Sequence, residues 1–208
     1  MTINHEKKLI YIHIPKTAGT SIYKSLGIKN ISYQNKFLGH KNIEKVKQQY
    51  EKYWDTYLKF TVVRDPIERF ISAYKYTKMK ESFWYSFDSE KLPKNEHYEI
   101  CNSLNINEYV SYLYENPRNH KLHTLPQLWF IENKHKRIEV DYIAKYENLN
   151  EDLKKIGVNL TERLNVSKID DINSIQLTKK SKKLLYRMYD VDYNFFYPNN
   201  NEKTISYS

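Results

Sequence analysis

Two short apolar runs set the frame of the chain. Leu9 to Ile14 (LIYIHI) and Leu58 to Val63 (LKFTVV) are β-branched and aromatic with little alternation, as strands buried on both faces should be. Pro15 ends the first run, because proline has no N–H to give to a ladder. Helical spacing follows each one: Ile22, Tyr23 and Leu26 closed by Gly27, then Ile67, Phe70, Ile71 and Tyr74 at i, i+3, i+4, i+7. Between them Ile43, Val46, Tyr50 and Tyr53 predict a helix over 41–54. Further helices are expected at 106–115 (Ile106, Val110, Leu113 and Tyr114 inward), at 149–156 with Gly157 past the end, and at 178–189. Thr178 would cap the last, with Leu184, Leu185 and Met188 inward. The expected fold is α/β: a single domain over 1–198 with a mostly parallel central sheet flanked by helices, and a frayed tail at 199–208. Residues 79–104 show no clear period and are expected to form a packed surface loop, with a lid or acceptor wall as the functional alternative.

The chemistry lies where each strand turns into its helix. After Ile14 come Pro15, Lys16, Thr17, Ala18, Gly19, Thr20 and Ser21, a strand-to-helix turn through small and hydroxyl residues. Such a turn aims backbone N–H groups outward and makes an anion cradle, to which Lys16 adds a charge and Thr17, Thr20 and Ser21 add hydroxyls. The arrangement is P-loop-NTPase-like without being a Walker A sequence, which needs a glycine well ahead of a Gly-Lys-Ser/Thr end. Here the lysine precedes the glycine. After Val63, Arg64 sits at the carboxyl end of a strand, where open α/β sheets bind ligands. Asp65 and Pro66 suit an N-cap and a first helical residue, and Ser72 follows about two turns on, so Arg64 and Ser72 could hold one phosphate. The plainer alternative pairs Arg64 and Arg69 with Asp65 and Glu68 on the surface.

Composition narrows this only a little. The net charge of +9 is uneven: residues 1–104 carry 18 Lys/Arg against 11 Asp/Glu, and residues 105–208 carry 16 against 14. The excess lies in the half with the anion loop and suits a polyanionic ligand. One cysteine, Cys101, excludes an internal disulfide and a cysteine-based metal cluster. No run approaches a membrane span, and MTINHEKK is not followed by a signal-like apolar core. The expectation is a soluble, cytoplasmic protein.

Taken together, HIPKTAGTS and RDPIERFISAY resemble the two nucleotide-binding signatures of the carbohydrate sulfotransferases, the Golgi-type family and its bacterial relatives. The resemblance implies a donor, 3′-phosphoadenylyl sulfate (PAPS). Lys16, Thr17, Ala18, Gly19, Thr20 and Ser21 would grip its phosphosulfate, and Arg64 with Ser72 its 3′-phosphate. Gly39-His40 resembles the placement of the catalytic base in the uronyl 2-O-sulfotransferases, which makes His40 the candidate base beside Lys16 as the catalytic cation. Leu122 to Gln127 (LHTLPQ) is similar to a His-x-x-Pro-Gln segment, and Val140 to Leu149 to a strand-to-helix passage of these enzymes. Arg163 to Ser167 has a counterpart as well. The implied acceptor is a glycan hydroxyl.

Sulfuryl transfer needs a positioned donor, a base for the acceptor proton and charge stabilisation on the leaving phosphate. An imidazole titrates in the right range for His40 to serve, with His123 or Glu147 as alternatives. His120, His123 and His135 lack a completing carboxylate, so no metal is expected. Two other functions compete: a P-loop kinase-like phosphotransferase, against which the missing Walker A speaks, and a nucleic-acid or polyanion binder. No RNP, KH or zinc-finger pattern supports the latter, so no nucleic-acid partner is expected.

Overall fold

The computed structural model describes residues 2–28, 40–80, 82, 84–85, 96–160 and 175–198. In chain order the described elements are β1 (Ile3–Asn4), β2 (Leu9–Ile12), α1 (Gly19–Ser25), α2 (Ile43–Gln49), α3 (Glu51–Trp54), β3 (Leu58–Val63) and α4 (Pro66–Lys78). There follow α5 (Glu96–Ser103), α6 (Ile106–Glu115), α7 (Leu128–Ile131), β4 (Tyr142–Lys145), α8 (Leu149–Lys154), α9 (Lys179–Met188) and α10 (Asp190–Phe196). The chain divides into two compact units, Met1–Asp65 with Pro126–Val166, and Pro66–Leu125 with Ser167–Ser208.

The first unit holds the sheet, in the order β1-β2-β3-β4. β2, β3 and β4 run parallel, with Tyr11 opposite Phe60 and Val63 opposite Lys145, while β1 is antiparallel to β2. The α/β class and the mostly parallel sheet therefore hold as expected. On one face Leu9, Tyr11, Phe60, Val62 and Ala144 pack with Ile22, Tyr23 and Leu26 at α1 and Leu149 and Leu153 of α8. The alternate positions Ile10, Ile12, Thr61 and Val63 are fully buried too, which is why both strands read as continuous apolar runs. Thr61 is the polar member of that set, and its hydroxyl donates to the Ile12 carbonyl at 2.8 Å, joining the two strand ends next to the loop.

The expected helix over 41–54 is broken at Tyr50, whose backbone leaves the helical region (φ −122°, ψ 27°). Its ring is held elsewhere: the hydroxyl accepts the Thr2 N–H at 2.8 Å and the Gln49 side-chain amide at 2.9 Å. The passage from 140 to 149 is a strand, a single 3₁₀ turn at Tyr146–Asn148, then α8. Gly157 follows α8 with φ 73°, a conformation that favours glycine.

The second unit is helical and aromatic. Phe70 and Tyr74 of α4 lie 5.9 and 5.6 Å from the Tyr109 ring of α6, measured between centroids. Arg69 is not a surface residue, as the plainer alternative for RDPIER would have it. It is 1% exposed and its Nη1 donates to the Leu125 carbonyl at 2.8 Å. Asn105 and Glu108 form a reciprocal capping box that starts α6, and the Thr178 hydroxyl accepts the Ser181 N–H to start α9. Tyr114, expected inward, is 40% exposed, and Leu184 and Met188 are only half-buried beside the fully buried Leu185. Three of the described helices were not anticipated, and the four-residue α7 buries Phe130 and Ile131. α5 buries His97, Tyr98 and Cys101, so part of 79–104 is core and not a surface loop, and α10 buries Asp192, Tyr193 and Phe196. Of that stretch 81, 83 and 86–95 lie outside the described residues, as does the expected tail at 199–208.

Candidate active site

β2 ends at Ile12, and the chain must turn from the sheet edge into α1 within six residues. Thr17 closes this turn: its hydroxyl donates to the Ile14 carbonyl at 2.8 Å and its side chain is fully buried. A ligand at the loop can therefore use the Thr17 backbone but not its hydroxyl proton, which narrows the role expected for that residue. Lys16 and Ala18 both have φ 69°, in the left-handed region that L residues avoid. Each costs on the order of 1 kcal/mol, and such strain gathers at ligand clamps, where backbone N–H groups are aimed into one concavity. Thr20 is half-buried and Ser21 buried at the start of α1.

His13 is the residue that ties this loop to its surroundings. Its Nδ1 lies 3.0 Å from the hydroxyl of Tyr23, one turn into α1. Its ring covers Gly19 so closely that a Cβ there would overlap the imidazole. Glycine at this position thus makes room for His13. The same ring meets His40, 4.4 Å away between centroids at 57°. His40 therefore belongs to the loop's neighbourhood through His13. Gly39 lies outside the described residues.

The second cation of the site is Arg64, one residue past β3. Its guanidinium lies 4.4 Å from the centre of the Tyr146 ring. Its backbone N–H donates to Gln127 Oε1 and its carbonyl accepts from Gln127 Nε2, both at 2.9 Å. The next amide, Asp65 N–H, donates to Glu147 Oε1 at 2.7 Å. Glu147, an alternative base in the sequence, thus has one carboxylate oxygen committed to the backbone. Arg64 also acts on Lys16 at a distance. Desolvation first, and the guanidinium charge second, bring the Lys16 ammonium down from 10.5 to about 8. Lys16 and Arg64 thus follow the carboxyl ends of neighbouring parallel strands, and the guanidinium charge disfavours the ammonium.

A family model described as a sulfotransferase family matches residues 1–198. The chain belongs to the sulfotransferase family. No curated protein and no solved structure matches it. In this sulfotransferase, Lys16 to Ser21, His13, His40 and Arg64 fall in one compact unit with Gln127, Tyr146 and Glu147. Ser72 stands on α4, half-buried, in the other unit.

His123 is 6% exposed and its Nδ1 accepts the Trp84 indole N–H at 3.3 Å, so it is a packed residue of the sulfotransferase's helical unit. His120 is turned to the Thr124 carbonyl, with Nδ1 at 3.0 Å. The two histidines do not share a helix face, since a 3₁₀ turn ends at Asn119 and 120–125 form turns. Among the described residues no group of three or more His, Cys, Asp or Glu side chains is placed to hold a metal ion. None of the described helices is long and apolar enough to cross a membrane. A groove of about 420 Å³ between α6 and α9, near Asn107, Tyr112 and Thr178, contains none of the loop residues.

Three members of the constellation were not singled out in the sequence. His13 sits inside an apolar strand run, and only its placement ahead of Ile-Pro-Lys marks it. Gln127 and Tyr146 belong to segments with a family counterpart, but no spacing rule links either to Arg64.

Proposed function

We propose that this sulfotransferase takes PAPS as its donor and sulfates a hydroxyl of a glycan, with residues 1–198 as the catalytic domain. The observation that carries the donor assignment is the placement of two cations, Lys16 and Arg64, just past the carboxyl ends of neighbouring parallel strands, beside a loop with two left-handed residues. A ligand with anionic groups at two ends fits this donor set: the loop from Lys16 to Ser21 for a phosphosulfate, and Arg64 for a 3′-phosphate. PAPS, when bound, supplies a sulfuryl group on a phosphate leaving group. Lys16 and the loop N–H groups then stabilise negative charge at that end, a role worth most in a desolvated site. His40 takes the proton of the acceptor hydroxyl. Its Nδ1 is buried, so Nε2 is the nitrogen assigned to that proton. The glycan acceptor rests on the likeness of Gly39-His40 to the uronyl 2-O-sulfotransferases.

The test is transfer of radiolabelled sulfate from PAPS to a panel of uronic acid, hexosamine and neutral glycans. Labelled glycan from the wild-type protein, with label lost and donor affinity kept in His40→Ala, is the expected result. Label appearing only on a non-glycan hydroxyl would overturn the acceptor class, and undiminished transfer by His40→Ala would remove it as the base.

A further inference from the structure

Gln127 has no exposed surface, and both ends of its carboxamide reach the backbone of Arg64. Oε1 accepts the Arg64 N–H and Nε2 donates to the Arg64 carbonyl, both at 2.9 Å. The partners fix the orientation of the amide, since turning it over would face oxygen with oxygen and nitrogen with nitrogen. Only an amide can do both: a carboxylate has no proton for the carbonyl, and an apolar side chain makes neither bond.

The location matters as much as the chemistry. The β3–β4 pairing ends at Val63 opposite Lys145, so Arg64 is the first residue past the ladder. Gln127 gives it the two bonds that a further strand pair would have given. Glu147 holds the next amide, Asp65 N–H, and Tyr146 lies under the guanidinium. The backbone of Arg64 is thereby held from the main-chain side, and its guanidinium has the Tyr146 ring 4.4 Å away.

We propose that Gln127 is a positioning residue that sets selectivity for a 3′-phosphate by fixing the backbone of Arg64. This rests on Arg64 as the 3′-phosphate ligand, and the experiment separates the two. Calorimetry on the full chain gives the affinities of adenosine 3′,5′-bisphosphate and of 5′-AMP, whose ratio is the discrimination due to the 3′-phosphate. Gln127→Met, close in size with neither hydrogen bond, should lower that ratio by roughly tenfold while 5′-AMP binding changes by less than about twofold. Unchanged 5′-AMP binding also shows that the variant folds; should Gln127→Met fail to fold, Gln127→Glu, which keeps the acceptor and loses the donor, is measured in its place. A residue that only supports the fold would weaken both nucleotides alike, and that outcome overturns the proposal. Arg64→Ala completes the comparison. If it loses discrimination while the Gln127 variant keeps it, the positioning role falls alone. If Arg64→Ala itself keeps discrimination, the 3′-phosphate assignment falls and this proposal with it.

Discussion

The imidazole of His13 occupies the space that a side chain on Gly19 would need, and the same ring lies 4.4 Å from His40. One residue thus links the start of α1 to the candidate base, with Tyr23 holding its Nδ1 at 3.0 Å. Gly19→Ala must push His13 away and disturb both. Turnover should fall on the order of 100-fold, the scale of an ångström-sized misplacement of reacting groups. In a His13→Ala background the same change should cost much less, because the obstacle is gone. A double-mutant cycle on kcat/KM reads the difference, and purely additive losses would contradict it.

Lys16 gives the site a pH dependence of defined sign. Its ammonium titrates near 8 in the free protein, below the usual 10.5, through desolvation and the Arg64 charge. It is charged below that pH and neutral above it, and an anionic nucleotide needs the charge. Affinity for adenosine 3′,5′-bisphosphate should therefore weaken as pH rises from 7 to 9.5, by up to about tenfold per unit above 8. Lys16→Arg should flatten the profile, since a guanidinium keeps its proton throughout. A flat wild-type profile would show that Lys16 does not contact the ligand.

β2, β3, α4 and α6 were legible because each carries a pattern with one physical cause. LKFTVV is mostly apolar because both faces of β3 are covered from Phe60 on, and Ile106, Val110 and Leu113 recur on the buried side of α6. What was missed breaks pattern for chemical reasons. Arg69 looks like a surface charge until its Leu125 partner is seen. α5 has no visible stripe, since two of its three buried side chains are His97 and Cys101. The loop, His40 and Arg64 could be picked out as single residues, whereas Gln127 and Tyr146 act on Arg64 across 63 and 82 positions of chain, a pairing that no local spacing encodes.

His97 predicts an acid-sensitive helical unit. Burial first, then the Lys121 and His120 charges, lower its imidazole from 6.5 to about 4, and its Nε2 lies 3.4 Å from the Tyr109 hydroxyl. The unfolded chain binds a proton near 6.5 that the folded chain refuses until about 4. The contribution of neutral His97 is thus whole above 6.5 and is lost as pH falls from 6.5 toward 4, by at most roughly 3 kcal/mol. Denaturant titrations across that window should show a shallower pH slope for His97→Gln than for the wild type. Equal slopes would place the acid sensitivity elsewhere.

The most direct test of the donor site is calorimetric titration of the wild-type protein with adenosine 3′,5′-bisphosphate, using 5′-AMP and ATP as controls at two salt concentrations. The account predicts tight binding that requires the 3′-phosphate and keeps that preference at the higher salt. Equal binding of all three nucleotides, falling steeply with salt, would contradict it and favour a non-specific polyanion surface.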